Sequence, residues 1–221
     1  MKLVVFDLDN TLLSGDSDAL WCEFLLARGV LDRAVFAERN AQVELAYRAG
    51  SIGAQAFSEF YLSTLAGRSR AQLDVLREAF LRECIVPRIP ASARLLVDAH
   101  RTPGELLVMS TATSRYLTEF TAVHLGFEHL IATEPDEAGG VFSGLARGVL
   151  NMREGKVQRL REWLAQHALP EGLLSQASFY SDSINDLPLM QAVREPIAVD
   201  PDERLFAHAQ SQGWKVLRLQ R

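Results

Sequence analysis

Residues 3–13, LVVFDLDNTLL, constrain the fold of this chain more than any other stretch. Four apolar residues run directly into Asp7, which is typical of a buried strand whose polar end lies at the edge of a sheet. Residues two apart share one face of an extended segment, so Asp7 and Asp9 are predicted to point into one crevice. Two carboxylates this close repel each other unless a cation lies between them. The pattern predicts a nucleophile or ligand at Asp7, an acid/base at Asp9 and a divalent metal. The alternative is a strand that ends in a solvated, Asp-rich turn.

Strand and helix patterns alternate along most of the remaining chain. This alternation predicts an α/β fold with an open, mostly parallel sheet and helices on both faces. The paired glycines Gly139 and Gly140 predict a hairpin within residues 134–148. The later strands are predicted from short apolar runs at residues 106–109, 129–132, 178–180, 197–199 and 216–217.

A helical block interrupts the alternation directly behind the first strand. From Ala19 to about Glu83, apolar residues recur at helical spacing, and glycines divide the block into about four helices. We therefore predict two domains. Residues 1–14 and 86–221 form the α/β core, and residues 15–85 form an inserted helical domain.

Composition excludes several classes of function. Hydrophobic residues make up 48 % of the chain and charged residues 23 %, which supports a large core. The net charge of −5 argues against a nucleic-acid or membrane-surface binder, and no apolar run is long enough to cross a membrane. Cys22 and Cys84 lie far apart, so neither a zinc site nor a disulfide framework is expected, and a reducing cytoplasm fits best. The oligomeric state is not predicted.

Polar residues follow three of the predicted strands, at the edge where open α/β sheets bind ligands. Their sequence order defines four motifs: DLDNT at 7–11, STAT at 110–113, EGK at 154–156 and SDSIND at 181–186. This ordered set resembles the haloacid dehalogenase-like (HAD) phosphohydrolases over essentially the whole chain. Within them it is similar to subfamily IB, which includes phosphoserine phosphatases and a branch of histidinol-phosphatase-like proteins. The resemblance implies a Rossmann-like core. The helical block, residues 15–85, resembles the type C1 cap of that subfamily and is expected to close over the site as a lid.

The resemblance and the chemistry of the residues together indicate a mechanism. Asp7 is expected to attack phosphorus and form an aspartyl-phosphate, because a carboxylate needs no deprotonation at neutral pH. Asp9 is expected to protonate the leaving oxygen and then deprotonate water. Lys156 is expected to neutralise the nucleophile and bind the phosphoryl group. Mg²⁺ is the expected cofactor, held by Asp7, the Asp9 carbonyl and Asp182.

The second motif leaves two candidates for the phosphate-binding hydroxyl. Thr111 is favoured, with the backbone N–H of Ala112 beside it, because the TAT sequence resembles one branch of the family; Ser110 is the alternative. Three further residues are expected to support the site: Thr11, Asn185 and Asp186. Asp186 would orient Lys156 or a metal-bound water, or else cap the helix that follows it.

Two acidic residues bear on the substrate. Asp16 occupies the place of an acidic residue that meets the substrate amine in phosphoserine phosphatases, or it caps the helix that begins near Ala19. Where those enzymes use a cap arginine, this chain has Glu59, with Arg48 as the nearest alternative. The acidic pair favours an amino-alcohol phosphate such as histidinol phosphate over phosphoserine.

We predict a Mg²⁺-dependent phosphomonoester hydrolase of small metabolites. The alternatives are a phosphoserine phosphatase, a phosphotransferase of the same fold in which an alcohol replaces water, and a catalytically silent phosphate-binding protein. A silent relative would usually lack Asp7, Asp9, Lys156 or Asp182, and all four are present.

Overall fold

The structure, a computed structural model, describes residues 1–48 and 51–220, with the side chains of all of these except residues 44, 47 and 48. The sequence candidate at Arg48 therefore lies outside the described side chains. The fold is one seven-stranded sheet in the order β4-β3-β2-β1-β5-β6-β7, in which every neighbouring pair is parallel except β3 and β4. The strands are β1 (Lys2–Phe6), β2 (Glu105–Ser114), β3 (His129–Ala138), β4 (Val141–Arg147), β5 (Ser178–Ser181), β6 (Glu195–Val199) and β7 (Lys215–Leu217).

Helices cover both faces of this sheet, so the predicted α/β fold is confirmed. Five α-helices lie between β1 and β2 in the described part of the chain. The first four form the predicted helical block, which ends in a π-helical turn, Leu81–Ile85. No helix among the described residues is long and apolar enough to cross a membrane. The helices are α1 (Ser17–Ala27), α2 (Arg33–Arg48), α3 (Ala54–Leu62), α4 (Arg70–Phe80), α5 (Ala91–Ala99), α6 (Arg115–His124), α7 (Glu154–Gln166), α8 (Leu187–Ala192) and α9 (Glu203–Gln212).

Strand β1 is the centre of the sheet and shows why the apolar run is continuous. Alternate side chains of a strand face opposite sides of the sheet. Val4 and Phe6 lie in one buried apolar cluster, and Leu3 and Val5 lie in a second. Both faces of the strand are therefore core, as the sequence indicates.

The helical block packs into the same cluster as the sheet. Trp21 and Phe24 of α1 and Phe80 of α4 contact one another at ring-centroid distances of 5.1 to 5.6 Å. These three rings belong to the buried cluster that also contains Phe6. Apolar packing is thus continuous between the central strand and at least α1 and α4.

The hairpin predicted within residues 134–148 is confirmed. Strands β3 and β4 pair antiparallel around Gly139 and Gly140, whose φ angles are +60° and +78°. Two consecutive positive φ angles are the requirement of a type I′ turn, which glycine meets without steric cost.

Strands β2 and β3 are longer than predicted. The expected strands at residues 106–109 and 129–132 continue to Ser114 and Ala138. The polar STATS sequence of β2 remains in the parallel ladder, where Ser110 pairs with Ile131. Polar residues carry β2 to the site, whereas β3 continues into the hairpin with β4, so apolar runs alone place both strand ends too early.

The hairpin also contacts the helical block. The N–H of Gly67 donates to Phe142 O at 2.9 Å, and the N–H of Phe142 donates to Arg68 O at 3.0 Å. A Cβ built on Gly144 would lie 2.9 Å from Ala66 Cβ. These contacts fix the segment directly after α3 against β4.

Candidate active site

A cavity of about 270 Å³ lies at the edge of the sheet where β1, β2 and β5 end. Crevices outside the carboxyl ends of parallel strands are where this architecture binds ligands. The predicted site residues that line it are Asp7, Asp9, Asp16, Ala112, Lys156, Asp182, Asn185 and Asp186.

Asp7 continues the ladder at the end of β1. Its N–H donates to Tyr180 O at 2.9 Å, and the carboxylate accepts from Lys156 Nζ at 2.7 Å and Thr11 Oγ1 at 3.2 Å. A tight turn follows, in which the N–H of Thr11 donates to Leu8 O at 3.2 Å. The turn brings the buried Thr11 hydroxyl beneath the carboxylate, as expected for a supporting residue.

Lys156 is only 2 % exposed and bridges two carboxylates. Its Nζ lies 2.7 Å from Asp7 Oδ1 and 2.7 Å from Asp186 Oδ2. Burial alone would lower the pKa of Lys156, but Asp186 and Asp7 outweigh it and raise the pKa above its usual range. Lys156 is therefore held as a cation against the predicted nucleophile.

The position of Lys156 requires a glycine at residue 155. Helix α7 begins so close to Leu150 that a Cβ on Gly155 would meet Leu150 O at 2.1 Å. The EGK sequence thus combines a close backbone approach with a cation one residue later.

Asp186 completes the arrangement by accepting from Ser181 Oγ at 2.7 Å. It occupies the N-cap position of α8 without making a capping hydrogen bond, so its side chain orients Lys156.

Asp182 converges with Asp7 from the end of β5. The Thr11 hydroxyl lies 3.0 Å from Asp182 Oδ1 and 3.2 Å from Asp7 Oδ2, so one side chain spans both carboxylates. Asp202 N–H donates to the Asp182 carbonyl at 2.8 Å and fixes the loop. Two carboxylates from different strands therefore face the same small space.

Both oxygens of the Asp9 carboxyl group accept hydrogen bonds. The N–H of Ser17 donates to Asp9 Oδ1 at 2.8 Å, and the Ser17 hydroxyl contacts the same oxygen. Oδ2 lies 2.9 Å from Thr113 Oγ1 and 3.4 Å from Thr111 Oγ1. The beginning of α1 and the end of β2 together hold this carboxyl group.

The pKa values of the three carboxyl groups are raised. Burial raises the pKa of Asp7 to about 6 against the opposing effect of Lys156, and burial with Asp16 raises that of Asp9 to about 7. Burial and Asp7 raise the pKa of Asp182 to about 8. A carboxyl group that titrates near neutrality suits an acid that later acts as a base.

Two carboxylates of the site offer oxygen donors to a metal ion. Among the described residues, no group of three or more His, Cys, Asp or Glu side chains could hold a metal ion. Asp7 and Asp182 are two hard oxygen donors that both contact the Thr11 hydroxyl, and burial is the first cause of the raised pKa of each. Mg²⁺ suits such a set, because it takes one or two carboxylates and keeps several waters.

The second motif separates Ser110 from Thr111. Asn151 Nδ2 donates to Ser110 Oγ at 3.0 Å and to the backbone carbonyls of Thr111 and Ile131. Ser110 and Thr111 are both fully buried and neither lines the described cavity, so a phosphate-binding role for either hydroxyl stays a prediction. Side chains alternate along a strand, which places the Thr111 hydroxyl on the side of Asp9.

Sequence reasoning missed Ser17, Asp18, Thr113 and Asn151. Thr113 follows Thr111 at the spacing that also relates Asp7 and Asp9, so the same alternation could have found it. Asp18 lines the cavity, and its Oδ2 lies 3.3 Å from Thr113 Oγ1. Asn151 carries no local signal, because its role depends on two strands distant in sequence.

The two predicted specificity residues differ in position. Asp16 caps α1 by accepting from Ala19 N–H at 2.9 Å, and it also lines the cavity, so the two interpretations coexist. Glu59 does not line the cavity and instead accepts from Gln55 Nε2 at 2.6 Å. The structure therefore does not bring Glu59 to the cavity, and its role in specificity stays a prediction. Residues two apart on a helix do not face the same way, and the cavity side of α3 carries Phe57.

Known proteins resemble this chain over its whole length. The family model of haloacid dehalogenase-like hydrolases matches residues 4–191. A protein of Neisseria meningitidis named histidinol-phosphatase is 35 % identical over 217 residues, covering 98 % of each chain. Phosphoserine phosphatase SerB1 of Mycobacterium tuberculosis is 32 % identical over 215 residues, covering 96 % of this chain and 68 % of its own.

One solved structure is similar in both sequence and fold. A Bordetella pertussis protein described as having unknown function shares 40 % identity, with a TM-score of 0.93 and coverage of 98 % and 97 % of the two chains. The chain belongs to the haloacid dehalogenase-like hydrolases, and within them it is an enzyme of the phosphatase type. The fold and enzyme class predicted from the sequence are confirmed.

Proposed function

We propose that this enzyme hydrolyses a phosphomonoester through an aspartyl-phosphate on Asp7. A carboxylate oxygen of Asp7 attacks phosphorus, the bond from phosphorus to the alcohol oxygen breaks, and Asp9 donates its proton to that oxygen. Asp9 then takes a proton from water, which attacks phosphorus, releases phosphate and regenerates Asp7. The observation that carries this proposal is the buried Asp7 carboxylate held by Lys156, beside a second carboxyl group, Asp9, whose pKa burial raises to about 7.

The other residues fit supporting parts of this reaction. Lys156 offsets charge on Asp7 and on the transferred phosphoryl group, and Asp186 keeps the ammonium in place. Thr111 and the backbone N–H of Ala112 are proposed to hold phosphoryl oxygens. The Asp7 and Asp182 carboxylates with the Asp9 carbonyl would hold Mg²⁺, which when bound supplies positive charge where four carboxylates meet a phosphate dianion.

We propose an amino-alcohol phosphate, with histidinol phosphate as the first candidate, for the substrate. Asp16 at the cavity and the name of the Neisseria meningitidis relative support this choice. The second candidate is phosphoserine, supported by the name of the mycobacterial relative. We further propose that residues 15–85 act as the specificity cap. A cytoplasmic location is proposed because Cys22 and Cys84 are both free thiols.

Released phosphate tests the proposal directly. The enzyme with Mg²⁺ is expected to release phosphate from histidinol phosphate faster than from phosphoserine, and to lose this activity after exhaustive chelation and regain it with Mg²⁺. A phosphotransferase would instead form a new phosphomonoester when glycerol or ethanol is added. Binding without phosphate release from any member of a broad phosphomonoester panel would favour the silent binding protein and overturn the proposal.

A further inference from the structure

The cavity has a side that the proposed phosphoryl chemistry does not use. Asp7, Lys156 and Asp182 occupy the end where the strands finish. The remaining surface comes from both the core and the helical block, and the block contributes, among others, Asp18 of α1 and Phe57 and Tyr61 of α3. A phosphomonoester bound with its phosphorus at Asp7 must place its alcohol portion toward the space that remains.

Asp18 is incompletely satisfied by the protein. Within the described part of the chain, the Thr113 hydroxyl is the one donor to its carboxyl group, at 3.3 Å. That hydroxyl has a single hydrogen and lies closer to Asp9 Oδ2, at 2.9 Å, so it cannot serve both carboxylates as a donor. Asp16 adds a further negative charge beside Asp18.

No cation among the described residues neutralises the negative charge of Asp18 and Asp16. Asp18 and Asp16 form no ion pair among the described residues, and Lys156, the cation lining the described cavity, is held between Asp7 and Asp186. Burial then raises the pKa of Asp18 well above its usual range. A protonated amine on the substrate would bring both the positive charge and the missing hydrogen-bond donors.

Two aromatic residues line the same cavity. Phe57 and Tyr61 lie one turn apart on α3, with ring centroids 5.3 Å apart in an edge-to-face arrangement, and both rings line the cavity. Aromatic faces attract cations and cover planar or apolar groups. The polar and aromatic sides thus suit one organic group that carries both a cation and a ring.

We infer that Asp18, Phe57 and Tyr61 form the subsite for the leaving alcohol, which binds a group with a protonated amine next to Asp18 and a ring or apolar portion on α3. This inference rests on the proposed phosphomonoester chemistry and assigns its specificity to residues of the helical block. It replaces Glu59, which lies on another face of α3, with Asp18 as the second acidic determinant.

A matched pair of substrates tests the charge preference. 3-Aminopropyl phosphate and butyl phosphate have the same number of heavy atoms and differ in one positive charge. The wild-type enzyme is expected to favour the amine by at least tenfold in kcat/KM, and Asp18→Asn is expected to reduce that ratio at least fivefold. Glu59→Gln is the matched control, because it removes an acid from the same helical block without altering the cavity, and its ratio should equal that of the wild type.

The ring preference is tested in the same way. Benzyl phosphate and butyl phosphate are compared in the wild type and in Phe57→Leu. Because the Phe57 side chain is partly exposed, this substitution is expected to leave the fold intact. The variant is expected to lower the benzyl-to-butyl ratio of kcat/KM at least fivefold. An unchanged ratio would overturn the aromatic part of the inference.

Two results would overturn the role of Asp18. The first is a wild type that hydrolyses the amine and its neutral partner equally well. The second is an Asp18→Asn variant that slows both equally, which would make Asp18 a positioning residue for Thr113 and Asp9. If neither ester is hydrolysed, the proposed function fails separately. In that case, calorimetry measures how tightly the two esters bind to Asp7→Asn. The inference stands only if 3-aminopropyl phosphate binds more tightly than butyl phosphate.

Discussion

At the scale of single residues, the site is organised by buried charge. Among the described residues that line the cavity, Lys156 is the one cation, and it is shared between Asp7 and Asp186 while four further aspartates line the same space. The protein alone therefore leaves an excess of carboxyl groups over cations at the place where a phosphate dianion is proposed to bind. This excess makes the roles of individual carboxylates measurable both by activity and by stability.

Replacing the proposed nucleophile should separate activity from folding. Asp7→Asn is expected to lower kcat/KM at least about a thousandfold, which corresponds to roughly 4 kcal/mol of transition-state stabilisation. Because the change removes one charge from a repulsive group, the melting temperature of the chelated protein should be no lower than that of the wild type. Activity above a few per cent would contradict the assignment, once mass spectrometry has excluded deamidation back to Asp7.

Asp182 gives a prediction for stability as a function of pH. Its pKa is about 8 in the folded protein and 3.8 in the unfolded reference, so the folded state binds the proton more tightly. The favourable contribution is therefore complete below about pH 4 and is lost as pH rises toward 8. Without metal, the melting temperature of Asp182→Asn should exceed that of the wild type by a few degrees at pH 8, and the difference should shrink toward pH 5. A gap that widens at low pH would contradict the raised pKa.

Mg²⁺ provides the control for that measurement. A cation between Asp7 and Asp182 would favour their charged forms, so Mg²⁺ should raise the melting temperature of the wild type at pH 8. The same addition should have a much smaller effect on Asp182→Asn, which lacks one of the proposed ligands. Equal stabilisation of both proteins would place the cation elsewhere.

At the scale of helices and strands, the close approach of β4 to the segment after α3 positions the aromatic side of the cavity. Gly144 has a φ of +86°, and a Cβ there would lie 2.9 Å from Ala66 Cβ. Gly144→Ala is expected to destabilise the fold by about 1–3 kcal/mol through strain and overpacking, and to raise KM more than it lowers kcat by displacing α3.

Gly139→Ala is the matched control for this change. Gly139 also has a positive φ, +60°, but a Cβ there would have no heavy atom within 4 Å. Both variants therefore carry backbone strain, and only Gly144→Ala presses on the helical block. Urea denaturation and steady-state kinetics on the two proteins separate the effects, and an equal change in KM would show that the contact does not position the cavity.

The elements also show how far sequence reasoning reaches. The apolar run before Asp7 predicted the central strand because both faces of β1 are buried, and the glycine pair predicted the hairpin because only its backbone geometry mattered. The end of β2 was missed because polar residues that serve the site continue the strand, and residues of β3 beyond 132 were predicted only as part of the hairpin. Glu59 was expected at the cavity but lies elsewhere, because the phase of α3 depends on packing against β4, which no local pattern records.

At the scale of the whole molecule, the shared apolar cluster bears on whether the helical block is an independent domain. Trp21, Phe24 and Phe80 of the block lie in one buried cluster with Phe6 of the central strand and Tyr116 of α6. An ion pair adds to this contact, because Arg70 Nη2 of α4 lies 2.6 Å from Glu137 Oε1 of β3. A block that shares its core in this way cannot unfold without exposing the apolar surface of the sheet.

We therefore expect one cooperative unfolding transition in which α1 and α4 melt with the sheet. The chain has three tryptophans, of which Trp21 lies in α1, so replacing Trp163 and Trp214 by Phe leaves a fluorescent probe within the helical block. The midpoint of Trp21 fluorescence in urea should coincide with that of far-ultraviolet circular dichroism, which reports all helices and strands. Phe80→Ala, which creates a cavity in the shared cluster, should lower both midpoints together by the equivalent of about 3–5 kcal/mol. An earlier Trp21 midpoint, or a Phe80→Ala effect confined to the fluorescence, would instead mean that the block unfolds by itself and that residues 15–85 form a cap able to move as one body.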